Sequence, residues 1–100
     1  MIPHKTIEDL IKKHSLLEKD LSSATIDKKL FAEKSKEYSD LNDIIQNAKK
    51  YISYEKDKLE IQKILDDKKS DIELIKMAEM ELNDLKVENE NNEKKLRLFL

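Results

Sequence analysis

The stretch SDIELIKMAEMELNDLKVENENNEKKLRLFL, residues 70–100, decides the fold of this chain. Its apolar positions recur every three or four residues, with no Gly or Pro between them. This spacing is typical of a helix that buries one stripe against a partner. The stripe runs through Ile75, Ala78, Leu82, Leu85, Asn89, Asn92, Leu96 and Phe99. Ser70 and Glu73 form a Ser-x-x-Glu capping box, so we expect Ser70 to cap this helix and Glu73 to return a hydrogen bond.

Two further helical segments precede this stretch. The first, about residues 7–21, has a heptad pattern formed by Ile7, Leu10, His14, Leu17 and Leu21. The second covers about residues 26–67, and we expect Thr25 or Asp27 to cap it. Its seam runs through Phe31, Tyr38, Leu41, Ile45, Ala48, Ile52 and Leu59. A helix of that length spans roughly 60 Å, so it either protrudes in a hairpin or breaks once near Tyr54.

These segments predict an all-α fold, an antiparallel three-helix bundle. The polar connections at residues 22–25 and 66–70 are short, and short connections make consecutive helices antiparallel neighbours. The second and third helices then form a long coiled-coil-like hairpin, and the first covers one end. We expect residues 1–100 to be a single domain. Because Leu98, Phe99 and Leu100 end the chain inside an apolar run, we interpret it as the N-terminal fragment of a larger protein.

Composition excludes several classes of function. The chain has 20 basic and 22 acidic residues, and Arg97 is the single arginine. Strong nucleic-acid binding favours arginine and a concentrated basic face, so we do not expect it of these residues alone. There is no cysteine, no apolar stretch near the ~20 residues of a membrane span, and no signal-peptide pattern. We therefore expect a cytoplasmic protein without membrane contact.

The sequence contains no recognisable reaction centre. His4 and His14 lie ten residues apart, and His14 falls in the apolar stripe of its helix, so we interpret it as a core histidine rather than a metal ligand. Carboxylate pairs such as Asp40 with Asp43 need a pocket to become catalytic, and a thin bundle is not expected to form one. Without glycine there is no phosphate-binding loop of the usual kind. We assign no catalytic, cofactor-binding or metal-binding residue and expect no enzyme activity.

Two pairs of polar side chains have alternative interpretations. Asn89 and Asn92 fall in the apolar stripe, where asparagine fixes register in some coiled coils. We favour a solvated seam, because charged and amide side chains flank both positions. Tyr51 and Tyr54 are candidates for a protein contact, since tyrosine is enriched at interfaces. We favour instead their packing on the third helix.

Two stretches carry a family resemblance. Residues 36–41, KEYSDL, are preceded by Asp27 and Phe31. The second stretch supplies Asp71, Glu73, Leu74, Met77, Ala78, Glu81 and Leu82. Together with the closing residues 95–100, they resemble the N-terminal helical domain of bacterial class I peptide chain release factors. The start of the chain, through Ile7 and His14, is more similar to the UAA/UAG-reading type.

The resemblance implies translation termination. Such factors enter the ribosome, read the stop codon with a Pro-x-Thr-type tripeptide, and promote peptidyl-tRNA hydrolysis with a Gly-Gly-Gln loop. The chain has neither motif. The resemblance therefore implies a positioning and interaction module without catalytic motifs. Its implied partners are the ribosome, near the stalk base, and the other domains of the same factor.

Two other functions compete with this interpretation. A structural coiled-coil adapter would bind a partner helix along its seam. A helical tRNA-binding arm would present a concentrated basic stripe, which the balanced charge of this chain disfavours.

Overall fold

The fold is all-helical, as the sequence predicts. The computed structural model describes residues 1–23 and 25–100, which contain four helices and no strand. They are α1 (His4–Leu21), α2 (Lys28–Asn42), α3 (Ile45–Asp66) and α4 (Ile72–Phe99). Ala24, in the predicted break at residues 22–25, lies outside the described residues. The molecule measures 60 × 26 × 20 Å, because α3 and α4 run side by side well beyond α1 and α2.

The predicted second helix is two helices, which corrects the expected count of three. Helix α2 ends at Asn42 and α3 begins at Ile45, whereas α3 continues without a break through Tyr54. At the junction the Ile44 N–H donates to the Leu41 carbonyl at 3.1 Å, three residues back instead of four. Asn42 and Asp43 are weak helix formers, because their side chains compete for backbone groups. That dipeptide is the sequence signal for the break.

The helix caps are partly as expected. Asp27 caps α2 by accepting a hydrogen bond from the Lys29 N–H at 3.1 Å. The prediction that Ser70 caps α4 is wrong. Asp71 is the cap, and its Oδ1 accepts from the Leu74 N–H at 2.8 Å. A carboxylate is favoured there, because it also interacts with the positive end of the helix dipole.

The Ser70 side chain serves the preceding helix instead. Its hydroxyl donates to the carbonyl of Ile64 at 2.8 Å, near the end of α3. The last carbonyls of a helix have no partner within it, so this bond satisfies one of them. The Ser70 N–H donates to the Asp67 carbonyl at 3.1 Å, so the predicted return hydrogen bond to Glu73 is also wrong. Glu73 lies in the first turn of α4, where the positive end of the helix dipole favours its negative charge.

The hydrophobic core lies at one end of the molecule, which we call the base. There the N-terminal segment and all four helices contribute the buried side chains Ile2, Ile7, Leu17, Leu41, Ile44, Ala48, Tyr51 and Leu96. Helix α1 packs against both α2 and α3, whereas α4 packs along α3. No helix within the described residues is long and apolar enough to cross a lipid bilayer.

The predicted seams are confirmed for α1 and α4 but only partly for the middle of the chain. In α4 the stripe is buried at Ala78, Asn92 and Leu96 and half-buried at most other positions. Phe31 and Leu59, which were assigned to the second seam, are exposed. Helix α3 has core contacts on two faces, because α1 and α4 both pack against it.

Candidate functional site: the base and the hairpin tip

Tyr51 fastens the N-terminal segment to α3. The Ile2 N–H donates to the Tyr51 hydroxyl at 3.0 Å, and that hydroxyl lies 3.4 Å from the Ile2 carbonyl, to which it donates. Both side chains are buried. His4 is exposed, and its ring meets the Tyr51 ring edge to face at 6.1 Å. Tyr51 is therefore a core residue whose hydrogen bonds hold the N-terminal segment, whereas the favoured prediction was packing on the third predicted helix.

His14 is also a core residue. Its Nε2 lies 3.0 Å from Asn42 Oδ1, and its ring stacks on Tyr38 with centroids 4.7 Å apart. This places a satisfied polar group between α1 and α2, which is the interpretation that the sequence favoured. Within residues 1–23 and 25–100, no three potential metal-ligating side chains are grouped in a way that would hold a metal ion.

The α3–α4 interface contains a buried amide pair. Asn47 Nδ2 donates to Asn92 Oδ1 at 2.9 Å, and Asn92 is 6% exposed. The prediction of a solvated seam is wrong for Asn92, because the partner amide on α3 replaces water. One helical turn further, Lys50 pairs with Glu88 at 2.6 Å. These two contacts fix the antiparallel register of the two helices.

Tyr54 and Asn89 border two small clefts beside this interface. One cleft, of about 150 Å³, is also lined by Leu85 and Asp57, and Tyr54 is half-buried there. Lys58 lies over the Tyr54 ring, 5.8 Å from its centroid. Tyr54 therefore packs between α3 and α4, as expected. Among the described residues, the buried Oδ1 of Asn89 has no protein hydrogen-bond partner.

An open groove lies at the base, in contrast to the expectation that a thin bundle forms no pocket. We call it the base groove, and it has a volume of about 360 Å³. Its lining comes from α1, α2, the α2–α3 junction and α4, and it combines apolar and charged side chains. The lining residues are Leu10, Lys13, Glu37, Asp40, Leu41, Asp43, Ile44 and Phe99. Sequence alone did not reveal it, because these residues come together only through tertiary packing.

The opposite end of the molecule exposes apolar side chains. We call this surface the hairpin tip, and it comprises Leu59, Ile72, Leu74, Met77 and Met80. Because Asn47 faces Asn92 across the antiparallel helices, Leu59 lies at about the level of Met80. Large exposed apolar side chains grouped together mark contact surfaces more often than isolated ones do.

Ion pairs connect the helices around the base. Lys13 pairs with Glu37, and Lys34 pairs with Asp20 at 2.6 Å, so two pairs join α1 to α2. Glu93 accepts from the Met1 ammonium at 3.1 Å and from the Arg97 guanidinium at 2.8 Å. The hydrogen bond from the ammonium, and then that from Arg97, hold the pKa of Glu93 below its ordinary value of 4.5.

These features define an elongated helical module with two candidate contact surfaces, the base groove and the hairpin tip. The chain matches the PCRF domain family over residues 10–100. It belongs to that family, and the resemblance to peptide chain release factors is confirmed.

Individual relatives agree with this assignment. A peptide chain release factor 1 of Pelagibacter ubique (strain HTCC1062) is 68% identical over 100 residues, which is 100% of this chain and 28% of the relative. The peptide chain release factors 1 of Orientia tsutsugamushi strains Boryong and Ikeda are each 35% identical over 78 residues, 78% of this chain and 21% of theirs. The chain thus spans less than a third of these relatives. No solved structure matches it.

Proposed function

We propose that residues 1–100 are the N-terminal module of a longer peptide chain release factor that acts in translation termination in the cytoplasm. The observation that carries this proposal is the 68% identity to a release factor 1 across the whole chain. The PCRF match over residues 10–100 agrees with it. In this proposal the module is one helical domain, and the remaining domains of the factor are its covalent partners.

The proposed reaction of the whole factor is hydrolysis of peptidyl-tRNA at UAA and UAG stop codons. The chain contains no glycine and so no Gly-Gly-Gln loop. His14 is held by Asn42 and Tyr38. Of the carboxylates that line the base groove, Glu37 is paired with Lys13, and Asp40 and Asp43 are exposed. We therefore assign the chemistry to the other domains, and no catalytic or cofactor-binding residue to this module.

The role of the module is to position the factor on the ribosome. Its core is concentrated at the base, while the hairpin tip extends from it and exposes apolar side chains. Contacts made far from the reacting groups add binding free energy and orientation. The stalk-base region of the ribosome is the proposed partner of the tip. We further propose that the α3–α4 hairpin behaves as an antiparallel coiled coil, rigid enough to carry that contact.

A chimeric factor tests the proposal. The matching segment of the Pelagibacter ubique factor is replaced by residues 1–100, and peptide release from ribosomes stalled at a stop codon is measured. We expect release at UAA and UAG by the chimera and none by the isolated chain. A folded chimera that releases no peptide at either codon would contradict the proposed function.

The tip contact has its own test in the same chimera. Met77→Gln combined with Met80→Gln removes apolar surface from exposed positions, so the fold is retained. We expect the half-saturating factor concentration to rise about three- to tenfold. Val87→Gln, also at an exposed apolar position of α4 but nearer its middle, is the matched control. If both changes raise the half-saturating concentration equally, the hairpin tip does not make the proposed contact.

A further inference from the structure

The charge of the base groove is unbalanced. Of the charged side chains that line it, Lys13 of α1 pairs with Glu37 of α2, so these two charges neutralise each other. Asp40 and Asp43 also line the groove, and both are exposed. Within the described residues neither carboxylate has an ion-pair partner, so the groove has a net negative charge there.

The position of these two carboxylates in the helix strengthens that charge. Asp40 lies in the last turn of α2, and Asp43 is its C-cap residue. The C-terminal end of a helix carries a partial negative charge from its unpaired carbonyls, which favours cations and disfavours acidic side chains. The last turn of α2 has no basic residue to compensate. Asp40, Asp43 and the C-terminal end of α2 therefore create a region of negative potential. It lies beside the apolar side chains of the base groove.

We infer that the base groove binds a protein segment in which an apolar side chain is flanked by lysine or arginine. Leu10, Leu41 and Phe99 supply the floor for the apolar anchor. Asp40 and Asp43 attract the flanking cations. The volume of about 360 Å³ lies within the range of pockets that bind compact ligand groups.

Two other kinds of occupant fit the base groove less well. Nucleic acid presents a phosphate backbone, which the two carboxylates and the negative helix end repel. A metal ion needs converging ligands, and within residues 1–23 and 25–100 no suitable group of three side chains is present. The surface also lies at the base, so it is separate from the hairpin tip and from the ribosome contact proposed for it.

Three short fluorescent peptides of about 12 residues test the inference on the 100-residue chain, by fluorescence anisotropy at low salt. The first carries Leu and Phe between lysines. The second has glutamate in place of each lysine, and the third has serine in place of Leu and Phe. We expect the first peptide to bind at least about tenfold more tightly than either of the others. Equal affinity of the first and third peptides would mean charge attraction alone and would overturn the inference.

Variants locate the binding surface. Asp40→Asn with Asp43→Asn should weaken the first peptide about three- to tenfold, because two negative charges are lost. This variant is expected to fold, since it removes charges that oppose the helix dipole. Asp66→Asn with Asp67→Asn is the matched control.

The control pair lies at the last residue and C-cap of α3, at the opposite end of the molecule. An unchanged affinity in the first double variant, or an equal loss in the control, would overturn the inference. Phe99→Ala tests the floor, and it should weaken the first peptide while leaving the melting temperature of the chain nearly unchanged. Retained affinity in that variant also contradicts the proposed groove.

Discussion

Leu96→Ala tests whether the base holds the four helices together. Leu96 is 0% exposed and belongs to the cluster that joins the N-terminal segment, α1, α2 and α3 to α4. A buried Leu→Ala change costs about 2–5 kcal/mol, depending on how far the surroundings relax. Because the cluster contains side chains from several helices, we expect only partial relaxation around the truncated side chain. We expect a loss of about 3–4 kcal/mol in the free energy of unfolding.

That loss is large for a chain of this size. Total stability is expected at about 5–15 kcal/mol, and 1 kcal/mol shifts the melting temperature of a small domain by about 4–8 °C. The assay is urea and thermal unfolding followed by far-ultraviolet circular dichroism. Leu98→Ala is the matched control, because Leu98 lies two residues further along the same helix and is 88% exposed. We expect it to change stability by at most about 0.5 kcal/mol. Similar costs for both changes, or a cost below about 1 kcal/mol for Leu96→Ala, would refute the arrangement of the base.

Three further predictions concern single interactions. Asp71→Ala removes the cap of α4 and should cost about 0.5–2 kcal/mol in thermal unfolding, and an unchanged melting temperature would assign the cap elsewhere. A double-mutant cycle of Asn47→Ala and Asn92→Ala should give a coupling of about 0.5–1.5 kcal/mol, and zero coupling would mean that the amide pair does not fix the register. Because the pKa of Glu93 is lowered in the fold, its contribution to stability is present above pH 4.5 and is lost as pH falls below that value. Urea titrations of Glu93→Gln and the unchanged protein should therefore differ at neutral pH and converge in acid, and a constant difference would contradict the assigned ion pairs.

Local sequence patterns predicted the elements whose cause is local. The 3-4 spacing in α4 predicted its buried stripe, and Asp27 was correctly named among the candidate caps of α2. The prediction that Ser70 caps α4 failed because Ser70 and Asp71 are consecutive and both side chains can accept a hydrogen bond from the helix end. The Asp71 carboxylate satisfied the helix end, while the Ser70 hydroxyl bonded back to α3.

Features that depend on which helices are neighbours could not be predicted. Phe31 and Leu59 match the apolar spacing, but no other helix covers them sufficiently, so they are exposed. The charged and amide residues that flank Asn92 in sequence predicted that it would be solvated. Its burial depends on Asn47, which faces it from α3. The base groove forms from residues as far apart in sequence as Leu10 and Phe99, so no local pattern marks it.

Peptide release by the chimeric factor, with and without residues 1–100, tests the positioning role most directly. Single-turnover release from a stop-codon complex is measured over a range of factor concentrations, which separates the half-saturating concentration from the maximal rate. If the module positions the factor, its removal raises the half-saturating concentration and leaves the maximal rate largely intact. A truncated factor that keeps its half-saturating concentration but loses its maximal rate would contradict that role.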